Sequence, residues 1–326
     1  MAVTLKEVAE LAGVSRSAVS RCFTEGASVS AKTRARVVEA AEKLGYHPNA
    51  LASSLTTGRT KLIGLVSNNF HNPVFLEVFD LFTRMLQDRG LRPLLVNLSD
   101  ETDPTHSLRM LRQYSVDAVI VASSTLPVSF ADSFHAAGVP VVHAFGRHGT
   151  VSPVPVVGID NRAAGRLAAE ELRARGYTDI GFMGGPEDAT STQDRLAGFR
   201  DVLGDDLGLS FAESYSYSAG HAEMARLIGK GPLAQAYFCG DDVLSIGAIG
   251  ALRAAGRNVP ADVGLLGLND MPMAAWPGFD LTTIRQPIAR VVEMSVDNIC
   301  ALLAGETPHS QILPCRIIER GSLAPK

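Results

Sequence analysis

From Leu62 onward the chain repeats one pattern, an apolar run of strand length followed by a helical segment. The apolar runs are Leu62–Val66, Arg92–Asn97, Ala118–Ala122, Pro140–Ala144, Asp179–Met183, Ala236–Cys239 and Val263–Leu268. Helical spacing marks Pro73–Arg89, Arg162–Arg175, Asp194–Leu203, His221–Leu227, Leu244–Ala255 and Pro287–Leu303, and a last strand is expected near Ile312–Ile318. Strands with no polar alternation are buried on both faces, which predicts parallel sheets covered by helices. About ten strands are more than one compact sheet holds comfortably. The pattern therefore predicts two doubly wound parallel-sheet lobes with a cleft between them.

The first 60 residues read differently. Thr4 caps a helix with apolar residues Leu5, Val8, Ala9, Leu11 and Ala12, and Glu7 completes a capping box. Gly13 ends it, because the turn needs a residue that tolerates positive φ. Ser15 caps a short second helix carrying Ala18, Val19 and Phe23. Ser30 caps a third, with Val37, Val38, Ala41 and Leu44 on one face, ending at Gly45. Three short helices with a tight turn make a helix-turn-helix unit. Residues 48–60 follow as a linker, bounded by Pro48 and Gly58, with too weak an apolar face to hold a helix alone.

Charge sharpens the division. Residues 1–60 carry eight Lys/Arg against five Asp/Glu, a net of +3, while the other 266 carry 22 against 29, a net of −7. A basic front on an acidic body is a local footprint for phosphate. Met1–Glu10 holds charges where a signal peptide needs an apolar run, and no stretch has the ~20 apolar residues of a membrane span. Cys22, Cys239, Cys300 and Cys315 lie far apart, with no CxxC pair, so we expect buried thiols in a reducing cytoplasm and no zinc. No nucleophile elbow, metal cluster or dinucleotide fingerprint occurs, and Gly184-Gly185-Pro186 lacks a phosphate-loop lysine. Neither an enzyme nor a cofactor is expected.

Val3–Ser15 followed by Ala18-Val19-Ser20-Arg21, then Val29–Arg34 and Leu44–Asn49, resembles the headpiece of LacI/GalR-type repressors. Ala52, Leu55 and Gly58-Arg59-Thr60 look like that family's hinge helix. Asn72–Phe75, Asp160-Asn161, Asp194–Phe199, Gly240-Asp241-Asp242, Gly267–Asp270 and Leu281–Ile284 look like its effector core, which shares the periplasmic-binding-protein fold. The resemblance runs along essentially the whole chain, in order. It implies a headpiece at 1–47, a hinge at 48–60 and a core at 61–326, with an upper lobe of about 61–160 and 286–311 and a lower lobe of about 161–285 and 312–326. It implies a cytoplasmic repressor of a carbohydrate-utilisation operon. Such a protein binds a pseudo-palindromic duplex as a homodimer under control of a sugar or sugar derivative. No tetramerising heptad follows Ile318, so a dimer is expected. The alternatives are a solute-binding protein with no regulatory DNA role, which residues 1–60 oppose, and a regulator of a non-sugar ligand.

On this resemblance the second helix lies in the major groove with Arg16 and Ser17 at base edges and Arg21 one turn on. Arginine suits bidentate contact with guanine; otherwise Arg16 and Arg21 are solvated surface charges. Thr4, Ser15, Ser20 and Thr33 bind phosphates, cap helices, or both. Asn49, Ala50 and Ala52 suit a helix that approaches a narrow groove, and Leu55 is either a minor-groove wedge or packs on the upper lobe.

The matching effector residues are Phe75, Arg195, Tyr215, Asp241 and Asn269. Aromatic faces suit the C–H side of a sugar ring, and the polar groups supply directed contacts. Arg195 starts a helix with Leu196 and Phe199, so a surface arginine is the competing reading. One of Asp241 and Asp242 caps the helix before Val243. Trp276 roofs the cleft or packs on the lobe. Three positions depart from better-known members. Ala189 stands ahead of Thr190 where a purine-binding arginine is found, Asn269 stands for Asp, and Phe145-Gly146-Arg147 falls where Asp or Asn is common. The first makes a purine effector less suitable. His143 reads as a core residue.

Overall fold

A computed structural model describes residues 3–24, 27–47, 54, 58–98, 104–149 and 151–324. The chain divides into two compact units, Met1–Lys61 and Leu62–Lys326.

In the first unit, helices α1 (Leu5–Ala12), α2 (Arg16–Cys22) and α3 (Ala31–Leu44) follow the capping signals closely. The Thr4 side chain accepts from the Glu7 amide and the Glu7 carboxylate takes the Thr4 amide, so both halves of the capping box form. Ser15 and Ser30 cap α2 and α3 by accepting from the amides of Ala18 and Thr33. Gly13 turns the chain at φ 61°, in the left-handed region. Val8, Ala9, Ala12, Val19, Cys22, Val37, Ala40 and Ala41 form the small core. Two arginines reinforce it: Arg34 donates to the Cys22 carbonyl (2.5 Å) and Arg36 to the Ala12 carbonyl (2.5 Å), which satisfies the ends of α2 and α1.

The second unit holds two six-stranded sheets. One has the order β11-β5-β4-β3-β1-β2: β1 (Leu62–Ser67), β2 (Arg92–Asn97), β3 (Ala118–Ala122), β4 (Val141–Ala144), β5 (Val156–Ile159) and β11 (Gln311–Leu313), all parallel. The other has the order β12-β10-β9-β8-β6-β7: β6 (Ile180–Gly184), β7 (Gly208–Phe211), β8 (Ala236–Cys239), β9 (Gly264–Asn269), β10 (Thr283–Arg285) and β12 (Arg316–Ile318). Only β12 runs antiparallel there. Helices α4 (Val74–Asp88), α5 (Pro104–Gln113), α6 (Val128–Ala136) and α11 (Ile288–Leu303) belong to the first lobe. Helices α7 (Asn161–Ala174), α8 (Thr190–Leu203), α9 (Tyr217–Lys230) and α10 (Asp242–Ala254) belong to the second. The tilted and edge-on rings of Phe182, Phe199 and Phe238 fill the second lobe, each fully buried.

The chain passes between lobes three times: after β5, after β10, and between β11 and β12. The sequence pattern suggests one strand over Ile312–Ile318. Two short strands form instead, one in each sheet, with Pro314 between them. Proline has no amide to give a ladder, so it separates the pairings. Two of the expected buried thiols, Cys300 and Cys315, are only half-buried; all four cysteines are free. Among the described residues no helix is long and apolar enough to cross a membrane.

Candidate functional site

On the headpiece the residues singled out in α2 share one exposed surface. Ser15, Arg16, Ser17, Ser20 and Arg21 are exposed, while Val19 and Cys22 turn inward. Thr4 is exposed and Thr33 is half-buried. The side chain of Ser15 shares a hydrogen bond with Ser17 (2.9 Å) besides capping α2, and Arg21 reaches back to the Ser17 carbonyl (3.4 Å). Among the described residues Arg16 has no hydrogen-bond or ion-pair partner. The surface of α2 carries two arginines and no acid. Asn49, Ala50, Ala52 and Leu55 lie outside the described residues.

In the core, Phe75, Arg195, Tyr215, Asp241 and Asn269 line one pocket between the lobes. They come from α4, α8, the segment before α9, the start of α10 and the end of β9. Asn69, Asn72, Ser124, Phe145 and Gln286 complete the lining. The lining residues leave about 20 Å³ between them, room for roughly one water. Asp241 is the hub. Its Oδ1 accepts from the Val243 amide (2.9 Å), so it is the helix cap expected of one of the two aspartates. Its Oδ2 accepts from Asn72 (2.8 Å), which belongs to the other lobe, and from Asn269 (2.8 Å). The Asn269 Oδ1 accepts in turn from Gln286 (2.5 Å). Burial pushes the Asp241 carboxyl up to about 6, against the pull of these donors and of Arg195.

Asp242 points elsewhere. It accepts from the Met271 amide (2.8 Å) and the Thr283 hydroxyl (2.5 Å) inside the second lobe, and burial pushes it up to about 7. The adjacent acids therefore divide, one into the pocket and one into the lobe.

Arg195 is not a surface arginine. Its helix begins at Thr190, four residues before the expected Asp194, so Arg195 lies in the second turn and is buried. Its Nε donates to Asn161 (2.9 Å) and its Nη1 to the Gly240 carbonyl (2.5 Å). The Tyr215 hydroxyl bonds with Thr192 (2.7 Å) and Ser191 (3.2 Å). Phe75 meets Phe145 edge-on with ring centres 6.3 Å apart. Phe145 holds a φ of 65°, and Asn269 a φ of 127°, both uncommon for side-chain-bearing residues and both at the pocket.

Trp276 is the one core residue not brought in. It is 54% exposed, stacks on Phe279 with ring centres 6.4 Å apart, and lies outside the pocket lining. The 3₁₀ turn Pro272–Ala275 ends at it. Asn69, Ser124 and Gln286 gave no signal in the sequence, since single amides and hydroxyls in loops have no period. Asn72 and Phe145 stood inside recognisable runs without being read as lining. His143 is a buried strand residue whose Nε2 meets the Ser123 carbonyl (3.0 Å).

The comparisons with known proteins agree with this geometry. Residues 4–49 match the family described as bacterial regulatory proteins, lacI family, and residues 169–323 match the periplasmic binding protein-like domain. The chain is 31% identical to the HTH-type transcriptional regulator MalR of Streptomyces coelicolor, over 99% of this chain and 97% of that one. A Lac repressor dimer bound to operator and the anti-inducer ONPF superposes with a TM-score of 0.89 at 26% identity, covering 99% of this chain and 100% of that one. A complex of the transcriptional regulator CelR with cellobiose gives 0.72 at 28% identity, covering 98% and 99%. A capped helix-turn-helix unit, a two-lobed core with a polar pocket between its sheets, and near full-length similarity lead to one assignment: the chain belongs to the LacI family of bacterial transcription regulators.

Proposed function

We propose that this regulator is a homodimeric repressor of a carbohydrate-utilisation operon in the cytoplasm, with no enzymatic activity. It binds a pseudo-palindromic operator, and a sugar or sugar derivative in the core pocket sets its grip. The observation that carries this reading is the membership of the pocket: Phe75 and Asn72 from one lobe face Arg195, Tyr215, Asp241 and Asn269 from the other. A ligand touching both sets favours one placement of the lobes, and its leverage is its differential affinity for the placements, typically about 1–3 kcal/mol. In a dimer that placement sets the spacing of the two 48–60 linkers. Arg16, Ser17 and Arg21 contact base edges or phosphates, and Thr4, Ser15, Ser20 and Thr33 add phosphate contacts. Asn49, Ala52 and Leu55 act at the minor groove, with Leu55 as the wedge. The operator-bound Lac repressor dimer and the cellobiose-bound CelR support the partner classes.

The test takes a duplex selected from a random library and a thermal-shift panel of mono- and disaccharides including cellobiose. A sugar that raises the melting temperature should change operator affinity, and saturating operator should change sugar affinity by the same factor. Arg16→Ala should cost about 1–3 kcal/mol on the selected duplex, with relaxed preference at one base per half-site. Arg195→Ala should abolish the sugar response and leave basal DNA binding intact. Equal sugar affinity with and without operator would overturn the reading.

A further inference from the structure

We infer that Arg147 and Asp194 form a clamp that holds the two lobes together through protein groups alone, so that ligand entry must first break it. Arg147 lies after β4 in the first lobe and Asp194 on α8 in the second. The guanidinium donates twice to the carboxylate, Nε to Oδ2 at 2.8 Å and Nη2 to Oδ1 at 2.7 Å. Nη2 also donates to the Thr190 carbonyl (3.1 Å) and to Gln193 (3.2 Å). Both side chains of the pair are only 27% exposed, so water screens it less than a surface pair. Bidentate geometry adds direction to the attraction.

The two segments so joined each bring a residue to the pocket: Phe145 on one side, Arg195 on the other. The start of α8 also touches a second first-lobe segment beside the clamp, the loop after β3. The Ser124 carbonyl accepts from the Thr190 hydroxyl (3.0 Å) and the Ser191 amide (3.2 Å). Arg147 itself does not line the pocket. With about 20 Å³ between the lining residues, a sugar enters only when these segments part. The clamp lowers the fraction of molecules open to ligand, and apparent affinity falls by that fraction.

Amide exchange on the intact chain, with no sugar added, tests the clamp independently of the ligand reading. Arg147→Ala and Asp194→Asn should each speed exchange in 122–126 and 188–196 by about five- to tenfold. The central strand β6 should keep its wild-type rate. The double variant should add nothing, and the reversed pair Arg147→Asp with Asp194→Arg should restore slow exchange. Unchanged exchange in both segments overturns the clamp. So does equal acceleration across β6, which would make the pair a general support of the fold, and so does an additive double variant.

Discussion

The headpiece and the core reach their shapes by opposite routes. In the headpiece each helix start is set by a side chain three residues away: Thr4 with Glu7, Ser15 with Ala18, Ser30 with Thr33. In the core pocket the deciding bonds join residues far apart, such as Asn72 with Asp241, separated by 169 positions. Local bonds form from the sequence of one turn. Distant ones form only after strand order, helix packing and lobe placement are in place. The headpiece should therefore tolerate small errors one turn at a time, while the core should respond sharply to a single added methyl.

The largest effect tests that contrast at Gly198. Helices α7 and α8 pack backbone to backbone, and a Cβ at Gly198 would run into the Arg162 carbonyl, as one at Gly165 would run into that of Arg195. No rotamer relieves a clash with a main-chain oxygen, so the helices must move apart. Gly198→Ala should cost the core about 3 kcal/mol, at the upper end of ordinary overpacking, and should displace Arg195 with its helix. Denaturant unfolding followed by a core signal measures it. A loss below about 0.5 kcal/mol would mean that the pair separates cheaply, and the contrast with the headpiece would fail.

The second test uses charge buried in the core. Asp242 ionises near 3.8 when unfolded and near 7 when folded, because burial disfavours its carboxylate. Its stabilising contribution is thus full below about 3.8 and is lost as pH rises through 7. His143 runs the other way. Burial lowers it from 6.5 to about 4, so its contribution is full above 6.5 and is lost as pH falls toward 4. The two oppose each other below pH 6.5, and Asp241, near 6, has lost most of its contribution by then. Between pH 6.5 and 8 core stability should fall by roughly 0.5 kcal/mol, the loss at Asp242 outweighing the last gain at His143. Asp242→Asn should flatten that slope, whatever it does to the absolute stability. Thermal melts across the window decide it; an unchanged slope in the variant removes Asp242 as the cause.

What could be read beforehand follows the same division. All three headpiece N-caps were visible as Ser or Thr and the ends of α1 and α3 as Gly, whereas the end of α2 at Phe23 was not. In the core the long buried strands and helices were visible, since their apolar runs are unbroken. The edge strand β7 was not, since Gly208–Phe211 is four residues and only partly buried, and the short strands β5 and β10, four and three residues long, were not among the runs read as strands either. Helices α5 and α6 also stayed hidden, α5 because its run is largely polar and α6 because Phe130, Ala131 and Phe134 are too few to establish a period. At the site Phe75, Arg195, Tyr215 and Asp241 stood out, and Phe145, Asn69, Ser124 and Gln286 did not. Trp276 stood out and turned away, because a side chain's type says nothing about the direction of the loop that carries it.

The smallest predicted effect separates what local sequence says about structure from what it says about function. Ser15 caps α2 by accepting from the Ala18 amide (3.2 Å), and it is also exposed on the surface proposed to meet phosphate. Ser15→Ala removes both roles and cannot tell them apart. It should cost about 1 kcal/mol of headpiece stability. Ser15→Asp can tell them apart. Aspartate caps a helix start as well as serine, and its charge suits the positive end of the helix. Headpiece stability should stay within about 0.5 kcal/mol of the parent. The same charge would face phosphate, and duplex binding should weaken by about tenfold or more. Melting of the intact chain and binding to the selected duplex, on the same preparation, give the two readouts. A stable Ser15→Asp protein with undiminished binding would leave Ser15 a cap alone and move the phosphate surface of α2 to its other exposed residues.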